Sequence, residues 1–385
     1  MQEVESQELK DIKSLTLAEL REELSALGEK KYRADQLYQW MHVKLASDYQ
    51  EMTNIPKSLR EICQKHFWYA SLRVVQVQES KIDGTRKYLF ALRDGNVVES
   101  VWMRYQHGNS VCVSSQVGCR MGCRFCASTL DGLERNLTPS EILEQIYAIT
   151  RHTGERVSNV VVMGTGEPLD NYDNLLRFIR LLTDENGLNI SQRNVTVSTC
   201  GIVPNMIRLA DEQLQITLAL SLHASNDEKR KELMPIANRY SIEELMKACA
   251  YYFEKTGRRI TFEYSLVGGV NDSDEQAEEL TKLAKPLHCH INLIPVNPIK
   301  ERDYVQSETE RVHGFKNKLE RNKINVTIRR EMGRDIDGAC GQLRRKHISG
   351  KQEDKEENGM RQAKITQMKN MHGDTAEVTG GSQGC

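Results

Sequence analysis

The sequence predicts an α/β fold: a partial barrel of the (β/α)6 type, preceded by a small helical accessory module and a short antiparallel β extension. Three observations carry this. From residue 110 onward, strand-like segments alternate with helical ones, which implies a parallel sheet. No dinucleotide-type glycine fingerprint follows those strands, which favours a barrel over a doubly wound sheet. Before residue 110 the apolar period is first helical and then alternating.

Residues 16–66 read as short helices. T-L-A-E-L-R-E-E-L and A-D-Q-L-Y-Q-W-M-H-V each place apolar residues on one stripe, and Asn54 and Pro56 punctuate before S-L-R-E-I-C. L-R-V-V-Q-V-Q, K-Y-L-F-A-L and V-V-E-S-V-W-M alternate and are separated by D-G turns at 83–84 and 94–95, a meander. The barrel strands follow as V-C-V-S-S, N-V-V-V-M, N-V-T-V-S, I-T-L-A-L-S-L, R-I-T-F-E-Y-S-L, H-I-N-L-I-P and N-V-T-I-R. Helices are expected between them over 139–150, 173–183, 204–212, 241–255, 273–285 and 307–321. The division is 1–70 helical module, 71–109 β extension, 110–348 barrel and 349–385 a polar, disordered tail.

The net charge of −1 implies no global electrostatic partner. No apolar run reaches membrane-spanning length, and the acidic start is not a secretory signal. The expected setting is the cytoplasm, where ten cysteines serve as thiols or metal ligands rather than structural disulfides.

Three of those cysteines stand in V-G-C-R-M-G-C-R-F-C-A-S, directly after the first barrel strand. Cys119, Cys123 and Cys126 lack the fourth ligand that a closed zinc site needs. An iron–sulfur cluster works with three thiolates if one iron is left open. Gly118 and Gly122 let the loop wrap around it. A second cluster of features is V-V-M-G-T-G-E-P-L, where a glycine-rich turn carries Glu167, a carboxylate able to accept from an ammonium group. Ser198, Ser221, Leu222, His223 and Asn297 fall at the same predicted rim, each alone an ordinary turn residue. Cys340 lies between Gly338 and Gly341, with arginines nearby that favour a thiolate. Cys112, on the first barrel strand, reads from spacing alone as a buried structural thiol, and Glu99 as a solvent-facing charge.

The C-x3-C-x2-C spacing resembles the radical S-adenosylmethionine superfamily. C-V-S-S-Q-V-G-C-R-M-G-C-R-F-C-A-S, G-T-G-E-P-L, V-S-T-C-G-I-V-P, S-L-H-A, L-M-P-I and D-I-D-G-A-C-G-Q-L together resemble the dual-specificity RNA methyltransferases of the RlmN type, over roughly residues 15–347. The resemblance implies a [4Fe–4S] cluster on Cys119, Cys123 and Cys126. It also implies S-adenosylmethionine, two molecules per turnover, held by Gly166, Glu167, Ser198, Ser221, Leu222, His223 and Asn297. It implies methylation of adenine C2 in 23S rRNA and certain tRNAs. Cys340 is methylated first, its methyl carbon becomes a radical that adds to C2, and Cys112 resolves the crosslink through a disulfide with Cys340. Glu99 is the implied proton acceptor. The implied setting is a monomer, away from membranes, fed by an electron donor such as flavodoxin or ferredoxin.

Between 321 and 346 basic residues outnumber acidic ones, a solvated face or a local phosphate contact near Cys340. Two other readings stay open: a related family that methylates adenine C8, and a non-catalytic zinc-stabilised RNA-binding protein.

Overall fold

The computed structural model describes residues 9–298 and 301–350; of the expected tail, residues 351–385 lie outside this range. Helices α1 (Leu17–Ala26), α2 (Lys31–His42) and α3 (Lys57–His66) form the N-terminal module around Leu20, Leu24, Leu37, Met41 and Leu59. Thr16 and Glu19 close a capping box at the start of α1, satisfying two orphan backbone donors. The same device starts three barrel helices: α4 (Pro139–Thr153), α8 (Ile242–Thr256) and α9 (Asp274–Ala284). Gly154 and Gly257 end α4 and α8 in the left-handed conformation. The other helices are α5 (Tyr172–Leu182), α6 (Val203–Asp211), α7 (Asp227–Leu233) and α10 (Thr309–Arg321).

One sheet holds ten strands side by side in chain order: β1 (Arg73–Glu79), β2 (Arg86–Ala91), β3 (Val97–Tyr105), β4 (Gly108–Cys112), β5 (Val157–Val162), β6 (Val195–Thr199), β7 (Thr217–Ser221), β8 (Ile260–Leu266), β9 (Cys289–Pro295) and β10 (Val326–Ile328). From β4 to β10 every pairing is parallel; from β1 to β4 every pairing is antiparallel. Among the described residues β10 pairs only with β9, so the barrel is partial, as expected. The sheet runs through residue 109 without a break, because β4 pairs with the meander on one side and with the barrel on the other.

Alternation gives the meander two buried faces. Tyr88, Phe90, Val98 and Trp102 join the barrel core. Lys87, Leu89, Val97 and Glu99 are also buried, and Leu89 and Val97 pack on Leu343 of the C-terminal segment. Three elements were not expected. Helix α7, D-E-K-R-K-E-L, has no apolar stripe to announce it. Gln116–Gly118 and Leu133–Asn136 form a hairpin that frames the cysteine loop. Lys10–Asp11 pairs with Phe67–Trp68 in parallel.

The N-terminal module docks on α4 and α5 through polar contacts. Lys13 and Glu144 form a fully buried ion pair, with Arg151 as second partner of Glu144 at 3.0 Å. Lys13 Nζ also donates to the Ala70 carbonyl oxygen at 2.9 Å and sits 3.8 Å over the Tyr69 ring. Tyr38 donates to Asp184 at 2.7 Å. Removing one partner of a buried pair leaves an uncompensated charge, so Lys13→Met is expected to cost about 3 kcal/mol, seen as a lower urea midpoint. Lys13→Met combined with Glu144→Leu should recover most of that loss.

Candidate active site

The parallel strands bring their C-terminal ends to one rim. Cys112 ends β4, the 163–167 turn follows β5, Ser198 is the last-but-one residue of β6, Ser221 ends β7, and Asn297 follows β9. The cysteine loop rises from the hairpin after β4. Its start is fixed by backbone: Cys119 N–H donates to the Gly132 carbonyl oxygen at 2.7 Å. Gly118 has φ +76°, and a Cβ there would lie 2.0 Å from the Gly132 oxygen, so only glycine fits. Arg124 N–H donates to the Leu233 carbonyl oxygen at 2.9 Å, and Gly122 packs on Pro235, which seats the loop on the end of α7. Met121, Cys123 and Phe125 pack with Cys200, Met234, Val267 and Val296, so Cys123 faces an apolar wall. Burial pushes Cys119 up to about 12 and raises Cys123 and Cys126; Cys126 raises both of the others further, and Cys119 raises Cys123. Three such thiols ionise together only beside strong positive charge.

The 163–167 turn is built differently from the expectation. A Cβ on Gly164 or Gly166 would meet Ser114, Ser115 or Gln116 at 2.7–2.8 Å, so these glycines serve close packing against the neighbouring strand end. The Glu167 carboxylate is buried: it accepts from Leu169 N–H at 3.0 Å and Cys200 N–H at 2.7 Å. It therefore braces two adjacent strand-end turns, and its side chain faces the protein interior. Burial holds its carboxyl above the usual range against those hydrogen bonds.

His223 is non-glycine yet has φ +55° and is buried. Its Nδ1 accepts from Ser265 N–H at 2.9 Å, which places the proton on Nε2. Burial, helped by Arg230, pulls its pKa down to about 3, so the ring is neutral at physiological pH. The ring stands edge-on to Phe125 at 4.9 Å. Ser198 and Ser221 hydroxyls lie 3.3 Å apart. Arg230, unmarked by any sequence signal, is fully buried and donates to the Cys200, Ser221 and Leu222 carbonyl oxygens at 2.6, 3.3 and 3.2 Å. It sews β6 and β7 ends together from behind.

Cys340 comes to this rim from the C-terminal segment. The residue is exposed, but its Sγ turns inward, 3.2 Å from the Met163 carbonyl oxygen and in hydrogen-bond contact with Cys112. As a thiol Cys340 donates to Met163; as a thiolate it accepts from Cys112. The Cys112 hydrogen bond, with Lys87 and Arg329, holds Cys340 down at about 6 against burial and Glu99. Cys112 is correspondingly raised, first by that hydrogen bond and then by burial. All described cysteines are free, so the disulfide implied for this pair is not formed here; the two sulfurs rest as hydrogen-bonded partners. Glu99 is not solvent-facing. It is buried, pairs with Lys87 at 2.9 Å and accepts from Gly341 N–H and, at 3.0 Å, from Arg344 N–H. Lys87 passed unnoticed in the sequence, although a Lys and a Glu on neighbouring strands of one meander are its visible signal.

The basic run near Cys340 divides. Arg334, Arg344, Arg345 and Lys346 are engaged by Glu331, Asp131 and Asp337. Arg321 and Lys323 precede β10 and stand at the opposite end of the sheet.

The Radical SAM superfamily profile matches residues 113–283, and the ribosomal RNA large subunit methyltransferase N-terminal domain matches residues 10–67. A probable dual-specificity RNA methyltransferase RlmN of Lachnospira eligens is 69% identical over 88% of this chain and 97% of its own. The chain belongs to the RlmN family of dual-specificity RNA methyltransferases. A second such relative, from Lachnoclostridium phytofermentans, is 61% identical over 88% of this chain and 95% of its own. The crystal structure of a radical SAM methyltransferase from Sphaerobacter thermophilus is 45% identical, covers 86% of this chain and 98% of its own, and superposes with a TM-score of 0.83.

The cofactors of this RlmN-family chain are a [4Fe–4S] cluster and S-adenosylmethionine. The donor set fits in chemistry: three thiols on a glycine-shaped loop, Cys123 against an apolar wall and raised by both Cys119 and Cys126, suit a cationic centre. Gly118→Ala is expected to prevent loop closure, at a strain above about 1 kcal/mol, and so to lower the iron bound per chain after anaerobic reconstitution.

Proposed function

We propose that the chain converts adenine to 2-methyladenine in 23S rRNA and in tRNA, with Cys340 as carrier of the transferred carbon. The observation that carries this is the Cys340–Cys112 contact at the rim that also holds Cys119, Cys123 and Cys126. Adenine C2 is electron-poor and does not attack a methyl sulfonium, so the carbon must reach it by another route. Bound at this rim, the cluster and S-adenosylmethionine supply a methyl group and a 5′-deoxyadenosyl radical.

Cys119, Cys123 and Cys126 hold the cluster. The backbone of Gly166–Glu167, with Ser198, Ser221, Leu222, His223 and Asn297, holds the nucleoside and amino-acid parts of S-adenosylmethionine. A neutral His223 offers an Nε2–H donor, and the serine pair offers hydroxyls. Cys340 accepts the methyl group as a thiolate, in hydrogen-bond contact with the Cys112 thiol. Cys112 then loses its proton and attacks the Cys340 sulfur, and the S–S bond forms as the sulfur–CH2 bond to the RNA breaks. The electron pair of that bond stays on the carbon, which takes a proton to become the methyl group, and the electron left by radical addition passes to the redox donor. Glu99, one hydrogen bond from Gly341, accepts the C2 proton. The apolar wall of the cysteine loop keeps water from the reactive centre. The chain works in the cytoplasm as a monomer, supplied by a flavodoxin- or ferredoxin-type donor; no described helix is long and apolar enough to cross a membrane.

Anaerobic reconstitution with RNA, S-adenosylmethionine and reductant, followed by nucleoside mass spectrometry, should yield 2-methyladenosine. 8-Methyladenosine as sole product, or a colourless zinc-bound protein, would overturn the reading. Cys340→Ala should abolish methylation with iron content unchanged. Cys112→Ala should accumulate a slow-migrating protein–RNA adduct on denaturing gels; free RNA alone would remove its resolving role.

A further inference from the structure

We propose that Lys87 is a positioning residue for methyl loading of Cys340: it pins the Cys340 loop to the sheet and supplies the positive charge beside which the thiolate forms. The inference rests on the reading of Cys340 as carbon carrier and adds a residue to it. The juxtaposition is specific. Lys87 Nζ lies 2.6 Å from the Ala339 carbonyl oxygen and 2.9 Å from Glu99 Oε1. Glu99 in turn accepts from Gly341 N–H. The residues immediately before and after Cys340 are thus held by the two members of one ion pair, and both members are buried.

The pair comes from adjacent strands. Leu89 stands opposite Glu99 in the register of β2 and β3, so Lys87 is a diagonal neighbour of Glu99 on one face. Neither grip can shift along the sheet without breaking the meander's register. The far side of the loop is fixed as well: a Cβ on Gly341 would lie 2.8 Å from Ser128 N and Oγ, so the loop presses on the segment that follows Cys126. Between these restraints Cys340 Sγ is left only the space beside Met163 and Cys112.

The charge balance follows from the same contacts. A carboxylate beside a thiol opposes its ionisation, and Glu99 does so here. The hydrogen bond from Cys112 is the largest counterweight; Lys87 is the larger of the two cations that add to it, ahead of Arg329. In methyl loading the Cys340 S–H bond breaks and its proton passes to solvent. The sulfur bonds to the methyl carbon of S-adenosylmethionine, and the sulfonium–methyl bond breaks, its electron pair staying on the departing thioether. No electrons are gained or lost, and no further reactant is needed.

The test uses the cluster-loaded full chain and three variants: Lys87→Met, Lys87→Gln and Lys87→Arg. Two quantities are read by peptide mass spectrometry: the S-methyl occupancy of Cys340, and the rate at which iodoacetamide alkylates unmethylated Cys340 at pH 7.5. Iron per chain is measured alongside. Lys87→Met and Lys87→Gln are expected to alkylate on the order of tenfold more slowly and to lose S-methyl occupancy, with iron unchanged, because thiolate fraction sets the rate. Lys87→Arg is expected to restore most of both. If Lys87 only stabilises the fold, its loss loosens an exposed loop and Cys340 alkylates faster; that result, or an unchanged rate, overturns the proposal. Should Lys87→Met fail to fold, Lys87→Gln against Lys87→Arg makes the same comparison. Wild-type chain that methylates RNA without ever carrying S-methyl on Cys340 would instead remove the carrier reading, and is distinguished by the wild-type arm alone.

Discussion

The buried Lys87–Glu99 pair is the constraint on which the reactive geometry depends. Taking two charges out of water is costly, and their attraction repays it only when the remaining hydrogen-bonding capacity is filled. Here it is filled by the Cys340 loop itself: Ala339 gives its carbonyl oxygen, and Gly341 and Arg344 give their N–H groups. The ion pair and the loop therefore satisfy one another. Further ties repeat the arrangement along the segment, with Asp83 accepting from Gly333, Asp335 from Ser80 and Lys81, and Gln78 bridging to Asp337. The antiparallel meander is more than an extension of the barrel. It is the platform that returns a distant part of the chain to the rim.

The rim shows the same economy. Buried side chains are spent on joining neighbouring strand ends, among them Glu167, which looks available for a ligand in the sequence. Glu167 links the turns after β5 and β6, and Arg230 links β6 to β7. Asn271 ties His223 to Ser265 at 2.7 Å. On the proposed reading, ligand contacts fall to backbone and to small donors held in fixed positions, which is how a site preorganises without reorganising during reaction. A single Arg230 Nη1 is left without a hydrogen-bond partner in this buried region, and its charge is felt by both Cys123 and Cys200.

What was legible in the sequence was chemistry with strict spacing and structure with strict period. Cys119, Cys123 and Cys126 announce themselves because a cluster dictates where its thiolates lie. Helices α4, α8 and α9 announce themselves because capping residues and apolar stripes recur at fixed offsets. Helix α7 was invisible because its fold is secured by one buried arginine bonded to carbonyls, not by an apolar face. The sequence could not say what comes close to Gly166; in the fold Ser115 and Gln116 do, as Val113 and Ser114 do at Gly164. Glu99 read as solvent-facing because its partner, Lys87, is brought beside it only by register. The part of the basic run near Cys340 could be a solvated face or a phosphate contact in the sequence because Asp131, the partner of Arg344 and Arg345, is brought to it only by the tertiary fold.

The Cys340 sulfur has two partners that ask for opposite protonation states, and this bears on how one residue would serve the two steps proposed for it. Donating to Met163, it is a thiol held close to the turn after β5. Accepting from Cys112, it is a thiolate with a proton already on its neighbour. Once the sulfur carries a methyl group it can no longer donate, and it loses the charge that made it a good acceptor. Both tethers weaken together, while the grips on Ala339 and Gly341 do not involve the sulfur and persist. The loop thus stays where Lys87 and Glu99 hold it, and the newly attached carbon gains freedom to turn toward a base without the backbone moving. On the proposed route Cys112, the thiol that would later close on Cys340, stays where the resting contact left it and gives up its proton only when it attacks.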